Sequence, residues 1–389
     1  MRCLMIVHSY FPNDIRVFRE SKSLQKIKIF TDVICLRNYR EKFYEEIDGY
    51  RIYRLPIKRD RTRGIILYSL EYFSFFLLCF IVSFYLSCKN KYIFVQVHNI
   101  PNILIACALK AKHNGAKLIL DMHEVLPEFC KQRYNNKLIF NLALYEERIS
   151  IRMTDYLIVA GHRLKIILTN RGYTKDIITV VNNAPDDSFF NLKNNEDTNE
   201  RSGKFILCYH GLLSTDYPLE SVIKAISILL SENLKIEFII IGDGPLKKKY
   251  IRLVKELDIE KEVKFIGIVP LIEIPNYLRK CDAGIVPIAD DEYNNTGIPT
   301  KFYEYINLYK PVLVSHCLAV KDLFSENDVL YFYVDDPSSI TECVKKIIFN
   351  KYLRNKLATN AYNALKSDNW SINEKRYHYL VRKIIKGEK

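Results

Sequence analysis

The feature that most restricts this chain is a repeated change of period. Short, unbroken runs rich in Ile and Val alternate with longer segments whose apolar residues recur every three or four positions. A run that is apolar on both faces must be a strand covered above and below, and the intervening helices supply that cover. Cys3–Val7, Val33–Leu36, Tyr92–Val97, Lys117–Leu120 and Tyr156–Val159 read as one set of strands. Lys204–Cys208, Glu237–Ile241, Val263–Phe265, Ala283–Val286, Val312–Val314 and Val329–Phe332 read as a second. Helical patterns such as Asp14–Lys28, Ile103–Lys112, Leu219–Leu230, Leu246–Leu257 and Ile272–Arg279 lie between them. The alternation pauses once, where NNAPDDSFFNLKNNEDTNERSGK (182–204) is polar and turn-rich. The expectation is an α/β chain of two Rossmann-like domains with parallel sheets, at 1–185 and 204–370. Residues 186–203 form a linker, and 371–389 a last helix packing back toward the first domain. A length of 389 residues suits two domains of ordinary size.

Charge is unevenly placed along this frame. Residues 1–190 hold 29 Lys/Arg against 18 Asp/Glu, a balance of +11, whereas the rest hold 29 against 27. A basic half beside a neutral half points to an anionic partner for the first domain. The stretch IILYSLEYFSFFLLCFIVSFYLSC (65–88) has Glu71 as its only charge, and Arg51, Arg54, Lys58, Arg59, Arg61 and Arg63 stand just upstream. An apolar helix behind a basic segment is what a membrane-surface anchor needs, although a buried core helix would share the composition. A true span is disfavoured, because strands on either side of it belong to one sheet. Nucleic acid is excluded as a partner, since no interleaved aromatic and basic motif is present. Ten cysteines without C-x-x-C spacing read as small apolar residues in a reducing cytosol, and no Cys/His cluster has zinc spacing.

Polar residues and glycines collect where the strands end, and ligands of doubly wound sheets bind there. His8 and then Asp14-Ile15-Arg16 follow the first strand, His98 follows Tyr92–Val97, and Asp121-Met122-His123-Glu124 follows Lys117–Leu120. In the second half these are His210-Gly211, Gly242-Asp243-Gly244, Gly267 and Asp290-Asp291-Glu292. Gly242-x-Gly244 lacks the third glycine of a dinucleotide fingerprint, since position 247 is Lys. It still permits close approach of a ligand to the backbone. In Gly297-Ile298-Pro299-Thr300-Lys301-Phe302-Tyr303-Glu304, Thr300 is expected to cap a helix starting near Lys301. The helix terminus and Lys301 would then form an anion site, and Glu304 could accept from a diol such as a ribose. A phosphate beside a diol describes a nucleotide.

In their order, these segments resemble the retaining GT-B-fold glycosyltransferases of family 4, the group 1 glycosyltransferases. The resemblance is carried by FPNDIRVFRESKSL, VQVHNIPNILIACALKAKHNGAKLILDMHEVLPE, VVNNAPD, IIIGDGP, VKFIGIVP and GIPTKFYEYINLYKPVLVS. It implies a GT-B architecture, two domains facing across a deep cleft, and a nucleotide-diphosphate sugar held by the second. Glu304 would hold the ribose, the backbone at Gly297, Pro299, Thr300 and Lys301 the diphosphate, and that around Gly267 and Val269 the base. Gly211, Gly242 and Gly244 complete the donor set. His123 would reach the transferred sugar, making it and Lys301 the catalytic candidates. Asp14 and Arg16, with His8, His98 and Glu124, would line the acceptor side. No cofactor beyond the co-substrate is expected, and the lack of an Asp-x-Asp motif agrees with metal-independent transfer. One departure stands out. The family's basic residue after Gly211 is missing from LLSTDYPLE (212–220), leaving Lys301 and Arg16 to replace it. The expected function is sugar transfer to a lipid-linked or glycan acceptor in cell-surface polysaccharide or glycolipid synthesis. It would take place in the cytoplasm, peripherally on the inner face of the membrane. The alternatives are a GT-B-fold nucleotide-sugar epimerase and a catalytically weak scaffold.

Overall fold

The computed structural model describes residues 1–59, 65–183, 203–270 and 273–388. Residues 186–202 of the expected linker, and Arg61 and Arg63 of the basic segment, lie outside them. The chain forms two compact units, Met1–Asn182 with Ser371–Lys389, and Asn183–Trp370.

Among the described residues, the first unit is built on eight strands: β1 (Arg2–Tyr10), β2 (Phe30–Leu36), β3 (Tyr44–Ile47), β4 (Tyr50–Leu55), β5 (Phe94–His98), β6 (Lys117–Met122), β7 (Tyr156–Val159) and β8 (Ile178–Val180). Their order is β3-β4-β2-β1-β5-β6-β7-β8, parallel throughout except for the antiparallel β3–β4 pair. Its helices are α1 (Ile15–Lys26), α2 (Ile65–Lys89), α3 (Leu109–His113), α4 (Leu126–Tyr134), α5 (Lys137–Met153) and α6 (His162–Asn170). Strand β4 corrects the reading of the basic segment. Arg51 and Arg54 belong to a strand paired with β2, and Arg54 is buried with its guanidinium on Glu45 (2.7 Å) and Glu41 (3.4 Å). A neutralised, buried arginine offers nothing to a lipid surface.

The second unit holds β9 (Phe205–His210), β10 (Ile236–Ile241), β11 (Val263–Gly267), β12 (Ala283–Val286), β13 (Val312–Ser315) and β14 (Leu330–Phe332). All pairs are parallel, in the order β11-β10-β9-β12-β13-β14. Numbered within the unit this is 3-2-1-4-5-6, the order of dinucleotide-binding Rossmann sheets, whose ligands sit where it reverses. That point lies between β9 and β12. Helices α7 (Glu220–Ser231), α8 (Lys247–Glu256), α9 (Ile274–Lys280), α10 (Thr300–Asn307), α11 (Leu318–Lys321), α12 (Pro337–Phe349) and α13 (Lys351–Lys366) surround the sheet. Gly284 of β12 lets α10 approach: a Cβ there would stand 2.3 Å from the Tyr305 ring, whose hydroxyl donates to the Cys208 carbonyl (2.8 Å).

The last helix, α14 (Trp370–Lys386), completes the first unit. Ser23 and His378 share a hydrogen bond of 2.8 Å, Lys26 pairs with Glu374 at 2.8 Å, and the buried Tyr377 hydroxyl donates to Gln96 Oε1 at 2.6 Å. Helix α2 is long and apolar enough to cross a membrane by length and composition. It does not separate the strands it connects, because β4 and β5 belong to the same sheet. Phe75, Cys79 and Leu86 enter the core beside Leu55, Leu104 and Cys107, while Phe73, Leu77, Phe80, Ile81 and Phe84 remain exposed. The two readings of this segment, burial and an outward apolar face, describe its two sides.

Candidate functional site

In the second unit, the loops after β9 and β10 lie against each other. Gly211 N donates to the Ile241 carbonyl (2.9 Å) and Leu213 N to that of Asp243 (3.0 Å). An added Cβ on Gly242, whose φ is +133°, would stand 2.0 Å from the Gly211 oxygen, and one on Gly244 would stand 2.4 Å from that of Leu213. This corrects the expected role of the pair. Their open faces admit the neighbouring loop, and the closeness they allow is between backbone and backbone.

Helix α10 begins at Thr300, one residue earlier than expected. Pro299 occupies the N-cap position in an extended conformation (φ −68°, ψ 144°), and no side chain caps the first turn. The Thr300 cap is thereby corrected. Proline fixes the entry angle and itself lacks an N–H, so the helix starts directly after it. Thr300 is exposed and Gly297 half-buried.

Lys301 turns inward instead of standing in solvent. Its Nζ donates to the Tyr209 hydroxyl at 3.0 Å and lies 4.5 Å and 3.3 Å from the ring centroids of Tyr209 and Tyr217. The ammonium is also close to Gly211, where an added Cβ would meet Nζ at 2.8 Å. A cation from α10 therefore stands beside the loop that lacks its own. Burial pushes the amine down to about 7, against the opposing pull of Glu304 and Asp216. One turn on, Glu304 shares a 2.5 Å hydrogen bond with His210 Nε2, and the His210 ring meets Tyr305 edge-on. Gly267 has φ +85° with open space on its Cβ side, while Val269 packs on the core. Tyr209 and Tyr217, the rings that enclose Lys301, carry no local signal in the sequence.

In the first unit the strand ends converge on one buried carboxylate. Asp121 accepts from Arg16 Nη2 (2.7 Å) and Nε (3.1 Å), lies 3.1 Å from His98 Nδ1 and 3.4 Å from His123 Nε2, and accepts from Gln96 Nε2 (3.2 Å). Burial alone would raise its pKa, but Arg16 and then His123 hold it well below the carboxylate range. Glu20, 3.3 Å from Arg16 Nε, is pushed up to about 8 by burial and then by Asp121. Arg16 is thus buried among carboxylates and also donates to the Val181 carbonyl at 2.9 Å. The expectation that it replaces the missing diphosphate cation is overturned. His98, Asp121 and His123 offer ligand atoms within 4.8 Å of one another, as a metal site would. Both Asp121 oxygens already accept from Arg16, so the charge at this spot is met by a guanidinium.

Of the remaining acceptor-side candidates, Asp14 and His8 have other partners. Asp14 is the N-cap of α1 and accepts from Val17 N at 3.2 Å. His8 lies inside β1, because the strand runs on to Tyr10. It is buried beneath α2, 3.3 Å from Glu71 and against Tyr72 and Phe75. Burial, then the charge of Arg59, pushes it down to about 3, so a neutral packing imidazole replaces the expected cleft residue. His123 and Glu124 are half-buried, and Asn99 fixes their backbone. It accepts from His123 N (2.7 Å) and donates to the Glu124 carbonyl (2.6 Å).

Two doubly wound parallel sheets, each with its polar residues at the strand ends beside the reversal of order, define the GT-B architecture. The family model described as glycosyl transferases group 1 matches residues 191–364, somewhat less than half of the chain. Protein CapJ of Staphylococcus aureus is 29% identical over 183 residues, covering 45% of this chain and 44% of CapJ, so the match spans less than half of that relative. Sucrose-phosphate synthase from Thermosynechococcus elongatus has a similar structure, with a TM-score of 0.78 at 12% identity and full coverage of both chains. Anabaena Alr3699/HepE in complex with UDP-glucose gives 0.70 at 13% identity, covering 98% of this chain and 100% of that one.

Proposed function

We propose that the protein is a retaining glycosyltransferase that moves a sugar from a nucleotide-diphosphate sugar to a membrane-linked glycan or lipid, at the cytoplasmic face of a membrane. The observation that carries the reading is the arrangement around α10. An uncapped helix N-terminus, an inward Lys301 beside Gly211 and a carboxylate one turn on lie beside the point of strand reversal. Helix N–H groups and a cation suit a diphosphate, and Glu304 suits the ribose diol. Gly267 and Val269 are assigned to the base, and His123 to the transferred sugar. The similar fold of Alr3699/HepE, in complex with UDP-glucose, supports the donor class.

Breaking the anomeric bond places negative charge on the leaving diphosphate and positive charge on the sugar. Preorganised N–H groups and Lys301 stabilise the first. An ammonium held near 7 before binding becomes fully charged as the anion arrives. The acceptor hydroxyl attacks the anomeric carbon on the face the diphosphate leaves, and its proton passes to the departing phosphate oxygen, so the configuration is kept.

The test is a thermal-shift screen of intact nucleotide sugars, followed by detection of nucleoside diphosphate with the sugar that binds. Slow release of nucleoside diphosphate is expected. Interconversion of sugars without release, or no shift with any nucleotide sugar, overturns the reading.

A further inference from the structure

We propose that an apolar cavity in the first unit binds the hydrocarbon chain of an anionic lipid acceptor, with the lipid phosphate at Arg59. The cavity, of about 460 Å³, lies between α2, α4, α5 and the loop after β5, in the size range of pockets that enclose a small organic ligand. Phe73 and Phe76 of α2, Ile103, Phe129, Cys130 and Ile139 are among the side chains that line it. This gives the lipid acceptor of the proposed transfer a place, and rests on that reading for its purpose.

Three observations favour hydrocarbon over a protein partner. Helix α2 is turned inside out relative to a water-facing helix. Its polar Glu71, Ser83 and Ser87 are buried, while its outward face is Leu70, Phe73, Leu77, Phe80, Ile81 and Phe84. Soluble surfaces rarely show such an apolar stripe. Phe73 belongs to both places, being 59% exposed and a wall of the cavity, so the stripe and the cavity are continuous.

The second observation is where the cavity lies. Ile100, Pro101 and Ile103 come from the loop after His98, and Leu126 follows the His123-Glu124 loop. Asn99 ties the two loops together, and Glu146 of α5 holds the first through Asn102 Nδ2 (2.7 Å) and Ile103 N. A chain in the cavity is therefore bounded by the segments that carry the strand-end histidines.

The third is charge. Among the described residues, Arg59 Nε is buried without a hydrogen-bond partner. Its backbone N donates to the Tyr10 hydroxyl (3.2 Å) at the end of β1, the strand that carries His8; the His8 ring meets Tyr72 at 4.5 Å, and Tyr72 lines the cavity. A guanidinium with a buried free donor, two residues removed from the cavity wall through His8 and Tyr72, fits a phosphate head. Lys89 of α2 and Lys110 of α3, over Tyr85 and Phe84, add positive charge at the far end of the apolar stripe.

The test is equilibrium binding of farnesyl phosphate, at concentrations below its micelle threshold, to the full chain in detergent-free buffer. Saturable binding at one site is expected. Cys130→Trp, which fills the cavity, weakens it at least tenfold. Phe73→Ser, at an exposed position that folding does not need, weakens it as well. Arg59→Ala weakens farnesyl phosphate but leaves farnesol unchanged. The proposal is overturned by absence of saturable binding, by binding that neither Cys130→Trp nor Phe73→Ser diminishes, or by association with phosphatidylglycerol vesicles alone. Thermal shift by nucleotide sugars, run on the same variants, reads the donor site separately. Its failure would remove the glycosyltransferase reading while leaving the lipid result standing.

Discussion

Replacing Asp121 by Asn removes one charge from the centre of the first unit while keeping shape. Arg16 meets that carboxylate through two nitrogens at 2.7 and 3.1 Å, and neither Arg16 nor Asp121 reaches solvent appreciably. Removing one partner of a buried ion pair costs about 3–5 kcal/mol. The Asn variant belongs near the lower bound, about 3 kcal/mol, because Glu20 stands 3.3 Å from Arg16 Nε and ionises in place of Asp121. That exchange has a pH signature. In the unaltered protein the Glu20 carboxyl, pushed up to about 8, keeps its proton where the unfolded chain, at 4.5, has lost it. The folded state then binds more protons between about 4.5 and 8, so stability falls as pH rises through that window, by at most about 1.4 kcal/mol per pH unit. Asp121 has the opposite sign. Its depressed pKa contributes stability above the unfolded value of 3.8, lost as pH falls below it. Asp121→Asn should flatten the first slope and remove the second. Hydrogen exchange of β6 peptides at pH 5 and pH 8, with β9 peptides as an internal reference, measures both. A variant within 1 kcal/mol of the unaltered protein at both pH values, with the slope unchanged, would refute the network.

Three further outcomes are expected. Binding of a nucleoside diphosphate at pH 8 should take up close to one proton, because the anion returns Lys301 from about 7 toward its usual value. Calorimetry in buffers of different ionisation enthalpy reads the uptake, and Lys301→Met abolishes it. Glu304→Ala should weaken nucleotide-sugar binding by at least about 1.5–3 kcal/mol, as expected for hydrogen bonds to a charged group, measured by titration calorimetry with the sugar that binds. Gly242→Ala should destabilise the second unit by roughly 3 kcal/mol or more, combining a backbone at φ +133° with a Cβ 2.0 Å from a carbonyl oxygen. Urea unfolding followed by circular dichroism checks this.

The parallel sheets were legible because buried strands print their apolar run directly into the sequence. The edge pair β3–β4 was not, because YEEI and YRIYRL mix tyrosines and charges on alternating positions and look like a basic surface. Strand-end residues could be picked out where apolar runs stop, but not what they touch. Arg16 and Asp121 are 105 positions apart, and Tyr377 and Gln96 are 281 apart. Local propensity favoured Thr300 as a cap. The fixed φ of Pro299 moved the helix start by one residue and left that side chain outside. The burial of Lys301 had no local sign, because Tyr209 and Tyr217 lie on another part of the chain. In α2, a helix apolar all round conceals which side meets the core, and only packing resolves it.

The return of α14 to the first unit bears on how the protein is made. Between Asn182 and Ser371 the ribosome must produce the 188 residues 183–370, all of the second unit. At about 5–20 residues per second this takes roughly 10–40 s. Through that interval the first unit exists without Tyr377, and Gln96, which bonds Glu20 and Asp121, faces an open slot. The nascent chain thus carries a half-finished acidic core and the apolar flank of α2 together. That is the period in which a chaperone, or a membrane already at hand, has most to protect.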